Sequence, residues 1–159
     1  MASLRAVIVL VGLARASGQC VVTTLAGGAR NPDGNGGNSD GTGTTASFNG
    51  PNGVALDSAS NVSVADTNNN AIRKINPVGV VTTLAGWMNG TNGFVDGTGT
   101  TASFFEPGGV ALDSASNVYV ADYNNNAIRK INPVGVVTTL AGWMNGTNGF
   151  VDEIGRAHV

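Results

Sequence analysis

The order of hydrophobic and polar residues between positions 51 and 86 predicts four short β-strands joined by tight turns. Each strand segment is apolar or alternates apolar with polar residues, and β-branched residues are frequent. Small and polar residues of the kind that form turns separate the segments, and none of them has helical periodicity with caps. The pattern indicates an up-and-down antiparallel sheet. The predicted strands are GVALD (53–57), NVSVAD (61–66), AIRKIN (71–76) and VVTTLAG (80–86).

The whole unit is repeated. Residues 51–96 align without a gap to residues 107–152, and only three of the 46 positions differ. A repeat of about this length is typical of solenoids, propellers and arrays. Strands that are apolar on both faces need cover on both faces, and stacked copies of one sheet provide it. The predicted fold class is therefore all-β, made of β-propeller blades with four antiparallel strands each. The differing pairs are Asn52/Gly108, Ser63/Tyr119 and Thr67/Tyr123, and DGTGTTASF recurs at 40–48 and 96–104.

One stretch of each copy resembles a known repeat. PNGVALDSASNVSVADTNNNAIRKI begins at Pro51 and PGGVALDSASNVYVADYNNNAIRKI at Pro107, and both closely resemble the NHL repeat of β-propellers. Ser63 is the single departure, since the repeat has a tyrosine there. The resemblance implies NHL repeats at 51–86 and 107–142, and it is closest to secreted members. Propellers typically have 4–8 blades, so two repeats make an incomplete ring and we expect further blades.

The first eighteen residues have the layout of a secretory signal peptide. Arg5 precedes an apolar run at 6–14, and small residues that suit cleavage follow. The run is shorter than the roughly 20 residues of a membrane span, so no membrane span is expected. A secreted, extracellular protein is the prediction. A buried N-terminal strand is one alternative, and a lipid anchor at Cys20 is another, although Gln19 stands where that signal has a small residue.

The remaining segments are assigned by the repeat. Residues 19–50 are predicted to hold an outer strand (21–27) that completes the last blade of the ring, followed by a Gly/Asn-rich loop. The other three strands of that blade are expected in a C-terminal part that this sequence lacks. Residues 87–106 are an inter-blade loop, and 143–152 begin the next one. The last seven residues, 153–159 (EIGRAHV), break the pattern where a glycine should follow Asp152. We interpret them as a sequencing-adapter scar and expect the natural protein to continue beyond Asp152.

Strand parity places the Asn-rich turns and the long loops at the same end of each blade. The turn at 68–70 is predicted to lie with the loop 87–106, and the turn at 124–126 with residues 143–152. Long loops on a rigid scaffold are where binding residues concentrate. The expected partner is a protein or a glycan of unknown identity, although the apolar residues among the candidates could instead cap blade edges and fill gaps between neighbours. The candidates are Asn68, Asn69, Asn70, Trp87, Met88, Phe94, Asn124, Asn125, Asn126, Trp143, Met144 and Phe150.

An acidic and a basic residue flank the Asn-rich turn in each copy. Asp66 with Arg73, and Asp122 with Arg129, are predicted to hold the turn by carboxylate-to-backbone bonds or an ion pair. The rival interpretation is a ring of such pairs around a central channel. Three N-glycosylation sequons are present, and they begin at Asn61, Asn89 and Asn145.

The composition argues against most acid–base and zinc chemistry. His158 is the single histidine, one cysteine is present, and no nucleophile, phosphate-binding or metal-binding motif occurs. Some NHL-like propellers are amidating lyases with a histidine-bound metal. Residues 1–152 contain no histidine, so nothing there can be matched to those ligands. Residues 19–152 carry five Lys/Arg and nine Asp/Glu, a net of −4, which disfavours nucleic acid. No metal or cofactor is expected, and the predicted function is a non-enzymatic binding scaffold. An extracellular lyase or lactonase with its active site in further blades, or a structural or adhesive repeat protein, are the alternatives.

Overall fold

Ten strands form two five-stranded antiparallel sheets in the computed structural model, which describes residues 22–29, 36–86 and 91–142. The strand order is β1-β5-β4-β3-β2 in the first sheet and β6-β10-β9-β8-β7 in the second. Each sheet is therefore one meander with an extra short strand at its outer edge. The first sheet contains β1 (Gly41–Thr42), β2 (Pro51–Leu56), β3 (Val62–Asp66), β4 (Ala71–Ile75) and β5 (Val80–Ala85). The second contains β6 (Gly97–Thr98), β7 (Pro107–Leu112), β8 (Val118–Asp122), β9 (Ala127–Ile131) and β10 (Val136–Gly142).

The fifth strand of each sheet corrects the prediction of four. It comes from the DGTGTT segment, which the sequence placed in a loop, and in the first sheet Gly41 pairs with Val81. A 3₁₀ turn follows the short strand, and Thr45 Oγ1 donates to Thr42 O at 2.9 Å. A strand of two residues has no alternation of apolar and polar positions. The pattern of the sequence therefore gave no sign of it.

The segment before the first sheet lies beside that sheet without joining it. Residues 22–27 are not in a strand, and none of the described strands pairs with them. The outer strand predicted for 21–27, which would pair with a further blade, stays a prediction. Gly27 N nevertheless donates to Gly43 O at 3.0 Å, as Gly86 N donates to Gly99 O at 3.2 Å. Residues 25–27 thus lie against the first sheet as the end of β5 lies against the second.

The two sheets pack face to face, and we call the interface between them the seam. Gly53 marks its closest approach, because a Cβ there would lie 2.7 Å from Gly108 O. The other face of the first sheet is covered by residues 25–26 together with Ala46 and Phe48. The core of the seam is apolar, and its buried members include Ala65, Ile72, Ala85, Phe104, Val118, Val120, Ile131 and Val137.

Several predictions fall outside the described residues. These are the signal peptide (1–18), the lipid-anchor alternative at Cys20, the loop start 143–152 and the scar at 153–159. Within the described ranges, none of the structure's helices is long or apolar enough to cross a bilayer.

Candidate functional site

The Asn-rich turns lie at one end of the two sheets, which we call the loop end. A 3₁₀ turn spans Thr67–Asn69 in the first sheet and Tyr123–Asn125 in the second. Asn70 and Asn126 end these turns with φ of 52° and 51°. This left-handed conformation is costly for most side chains, and asparagine is among the residues that adopt it most readily.

Each turn packs on a long connecting segment, as strand parity predicts. The main neighbour is the segment before its own sheet: Asn68 N donates to Asn49 O at 3.0 Å, and Asn124 N donates to Phe105 O at 3.1 Å. The sequence had placed the first turn against the segment after its sheet. That contact exists too, because Glu106 N donates to Asn70 Oδ1 at 2.7 Å. The first turn therefore joins both of its flanking segments.

The predicted pairs of acidic and basic residues are ion pairs. Arg73 Nη1 lies 2.8 Å from Asp66 Oδ2, and both side chains are fully buried. Asp66 also accepts bonds from Asn49 N and Asn69 Nδ2, each at 2.8 Å. The second copy reproduces the ion pair between Arg129 and Asp122 at 2.8 Å. The carboxylate therefore holds the turn by backbone bonds and by an ion pair together.

Each arginine also binds groups that the sequence analysis missed. Arg73 Nη2 contacts Asp40 Oδ1 at 2.6 Å and Ser39 O at 3.0 Å, while Nη1 donates to Ser47 O at 3.1 Å. We call Arg73 and these partners, with Asp66, the arginine cluster of the first sheet. Arg129 forms the equivalent cluster in the second sheet. Asp40 and Asp96 could have been found from the sequence, since both begin the repeated DGTGTTASF segment.

The position of the arginine clusters contradicts a ring of ion pairs around a central channel. Arg73 lies on β4, in the middle of its sheet, whereas the edge strands that contact each other at the seam are β2 and β7. Its guanidinium is buried beneath the connecting segment and lies 5.1 Å from the centre of the Phe48 ring. The rival interpretation is therefore wrong for the described part of the chain.

Burial dominates the electrostatics of these clusters. Desolvation raises the pKa of Asp66 and of Asp122, although their hydrogen bonds to asparagine, backbone and arginine groups oppose the rise. Asp96 lies nearer the surface, where burial also raises its pKa but is outweighed by bonds from Thr139 and Arg129, so the pKa is lowered. Both Nη groups of each arginine bind protein oxygens. The clusters thus fix the loops in place.

The predicted binding residues divide into buried and exposed groups. Asn69 is buried, and its Nδ2 donates to Gly37 O at 2.8 Å as well as to Asp66. Phe94 packs on Arg129, whose guanidinium carbon lies 4.6 Å from its ring centre. These two residues support the loop end from within, and Asn125 repeats the bonds of Asn69. Asn68 and Asn126 are exposed, and Asn124 is half-buried.

Other predicted residues lie elsewhere. Trp87, Met88, Trp143, Met144 and Phe150, with the sequon residues Asn89 and Asn145, are outside the described residues. Asn61 lies at the opposite end of the first sheet from the loop end. Its Nδ2 donates to Asp57 Oδ2 at 2.7 Å, so this amide holds the turn between β2 and β3. Among the described residues, no three His, Cys, Asp or Glu side chains come together as a metal site.

The two copies differ mainly at the loop end. Across 40–86 and 96–142, five of 47 positions differ, and four of them lie where β2 or β7 begins or in the adjoining segments and turns. Tyr123 is 72% exposed there, Glu106 is exposed, and Phe105 is half-buried. These three residues were not predicted as site residues from the sequence, although the Thr67/Tyr123 difference is visible there. The four pairs are Asn49/Phe105, Gly50/Glu106, Asn52/Gly108 and Thr67/Tyr123.

Comparison with known proteins agrees with this architecture. The family model described as the NHL repeat matches residues 48–75 and 104–131. Over 96 residues the chain is 38% identical to protein SUPPRESSOR OF QUENCHING 1, chloroplastic, of Arabidopsis thaliana, covering 60% of this chain and 9% of that protein. It is also 38% identical to human NHL repeat-containing protein 2, covering 58% of this chain and 13% of the relative. The chain thus spans about a tenth of the length of these relatives.

Solved structures share the fold. A crystal structure of an auxiliary nutrient binding protein from Bacteroides ovatus superposes with a TM-score of 0.59 at 28% identity. The match covers 77% of this chain and 29% of that one. Each matched segment runs from just before the first long strand through the third, so each sheet contains one repeat. The chain therefore carries two NHL repeats, each forming one blade of a β-propeller-type fold.

Proposed function

We propose that this chain is part of a secreted, non-enzymatic binding scaffold that contacts a protein or glycan partner through its loop end. The observation that carries the proposal is the concentration of differences there. Two copies that are nearly identical elsewhere present Phe105, Glu106 and Tyr123 in one blade and Asn49, Gly50 and Thr67 in the other. A scaffold that keeps its framework and varies one surface is typical of binding proteins.

The chemistry of the loop end supports a partner of this kind. Tyrosine is enriched in the energetically dominant residues of interfaces, because it combines a large apolar ring with a polar group. Glu106 Oε2 accepts a bond from Asn124 Nδ2 at 2.6 Å, and Asn124 is the residue next to Tyr123. The bond therefore fixes the Glu106 carboxylate beside the turn that carries Tyr123. The similarity to a nutrient binding protein of Bacteroides also favours binding over catalysis. Export is supported by the signal-like pattern of residues 1–18.

The test presents the exported protein to a glycan array and to a displayed peptide library. The variant is Tyr123→Ala with Glu106→Gln, and the matched control is Val134→Ala, since Val134 is 76% exposed at the opposite end of the same blade. We expect selected ligands to bind the loop-end variant about tenfold more weakly and the control unchanged. Ligands that are insensitive to the loop-end variant, or equally sensitive to both, would contradict the proposal. N-terminal sequencing that still begins at Met1 would contradict export.

A further inference from the structure

Ser63 and Tyr119 occupy the same position in the two blades. Ser63 pairs with Ala55 and Lys74 in the first sheet, and Tyr119 pairs with Ala111 and Lys130 in the second. The two side chains therefore leave the backbone at equivalent points. Ser63 lies on the face of the first sheet that packs against the second blade, as Ala65 does. Tyr119 lies on the equivalent face of the second sheet, its far face, as Ala121 does. The difference between the copies at this position is the loss of a whole phenol group.

Tyr119 shows what a phenol does at this position. Its hydroxyl donates to Asp113 Oδ2 at 3.0 Å, and Lys130 Nζ lies 5.7 Å from the centre of its ring. Asp113 Oδ2 also accepts a bond from Asn117 Nδ2 at 2.8 Å. The phenol is thus recognised by a carboxylate oxygen at its polar end and by an ammonium over its face.

The first blade keeps these recognition groups without the ring. Asp57 accepts a bond from Asn61 Nδ2 on Oδ2 at 2.7 Å, as Asp113 does from Asn117. A carboxylate oxygen can accept two hydrogen bonds, so Asp57 Oδ2 can take a hydroxyl as well. Lys74 holds the place of Lys130. What the first blade has in place of the ring is a cleft.

This cleft opens at the seam, at the end of the blades opposite the loop end. The cleft is partly open, and about 340 Å³ is the space within it and in the adjoining solvent together. Ser63, itself buried, forms part of the wall, and the second blade adds an apolar side that the exposed face around Tyr119 lacks. The lining includes Asp57, Ser63 and Lys74 of the first blade and Leu112, Val118 and Pro133 of the second, together with the polar residues Ser116 and Asn132.

We propose that the cleft at Ser63 binds a small free phenol, with its hydroxyl donating to Asp57 Oδ2, its face beside Lys74 Nζ and its ring against Leu112 and Val118. The second blade supplies the geometry, because Tyr119 makes the same polar contacts within the chain. The site lies at the opposite end from the loop end and does not depend on the proposed function. A phenol is preferred over a plain aromatic ring because Asp57 contributes an acceptor at the polar end of the cleft.

The probe is p-cresol, added to the full chain and followed by backbone amide chemical shifts. We expect saturable shifts at Ser63, Leu112 and Val118 with a dissociation constant on the order of 1 mM. Toluene has the same shape without the hydroxyl and should bind about fivefold more weakly or worse. Ser63→Tyr fills the cleft from within and should reduce p-cresol binding by about tenfold or more.

Two further variants keep the proposal testable if Ser63→Tyr does not fold. Ser63→Ala leaves the cleft open and should bind p-cresol as the natural sequence does. Asp57→Asn places an amide at the polar end and should remove the preference for p-cresol over toluene. Three results would each overturn the proposal. The shifts could fail to saturate, p-cresol and toluene could bind the unsubstituted chain equally, or a folded Ser63→Tyr variant could bind p-cresol undiminished.

Discussion

The two blades have almost the same sequence and bury very different parts of it. Ile72 is fully buried at the seam, whereas its equivalent Ile128 is 40% exposed on the far face of the second sheet. Ala65 and Ala85 are buried too, while the equivalent residues 121 and 141 are exposed. No described residue covers that far face. The burial of a blade face is therefore set by its neighbour, and the repeat alone does not determine it.

The arginine clusters show the opposite behaviour. Arg73 and Arg129 are both fully buried, and their distances to the two carboxylates are 2.6 and 2.8 Å in the first blade and 2.7 and 2.8 Å in the second. Every partner of each arginine comes from its own sheet or from the segment just before it. The comparison thus separates two contributions to stability, one within each blade and one between blades.

The largest expected effect is the loss of an arginine cluster. Arg73→Met and Arg129→Met each leave a buried aspartate without its ion pair, so we expect each to lower the free energy of unfolding by about 3–5 kcal/mol. Because the clusters are alike, the two losses should agree within about 1 kcal/mol. Urea unfolding followed by far-ultraviolet circular dichroism measures both.

Lys74→Met is the control for that experiment. Lys74 is the next residue along β4 and is half-buried, so its substitution should change the free energy of unfolding by about 0.5 kcal/mol or less. If Arg129→Met costs far less than Arg73→Met, the cluster also depends on the neighbouring blade. The contribution of the arginine cluster to stability would then not be confined to its own blade.

The second prediction addresses the contribution between blades. Ile72→Ala opens a cavity in the seam, and we expect a loss of about 2–4 kcal/mol in the free energy of unfolding. Ile128→Ala removes the same atoms from a face that is partly exposed, so about 1 kcal/mol or less should be lost. Paired urea titrations of the two variants give the difference. Equal losses would mean that the second face is covered in solution, for instance by another copy of the chain.

The fold could be predicted from the sequence because its signal is local and repeated. The strands β2 to β5 lie within two residues of their predicted bounds, and the ion pair of Arg73 with Asp66 is confirmed. What could not be predicted depends on contacts between distant segments. Asp40 reaches Arg73 across more than thirty residues, and Gly41–Thr42 becomes a strand only because β5 offers an unpaired edge.

The candidate site was predicted less well than the fold. Strand parity places the Asn-rich turns at the loop end correctly, but it does not say which side chains point into the blade. Asn69 and Phe94 have the polar and aromatic character of binding residues, and both face Asp66 or Arg129 instead of solvent. The exposed Glu106 and Tyr123 were found only once the differences between the copies were mapped onto the structure.

The smallest expected effect concerns the backbone at one of these differences. Glu106 has φ of 49°, and its equivalent Gly50 has φ of 60°. A left-handed backbone costs a residue with a side chain roughly 1–2 kcal/mol, whereas glycine adopts it without that cost. The stability that glycine gains by avoiding this cost is partly offset, because glycine is also more flexible in the unfolded chain. Glu106→Gly should therefore be more stable than Glu106→Ala by about 0.5–1 kcal/mol, as measured by urea unfolding.

Comparing those two variants with each other isolates the backbone, because both lose the bond between Glu106 and Asn124. Gly50→Ala is the reverse change in the first blade, where a Cβ would lie 2.6 Å from Asn68 Nδ2. It should destabilise the protein by about 1 kcal/mol, since the new methyl group adds strain and displaces that side chain. If Glu106→Gly and Glu106→Ala are equally stable, the left-handed backbone at residue 106 costs nothing. The replacement of Gly50 by Glu106 would then reflect the side chain alone, as expected of a residue that contacts a partner.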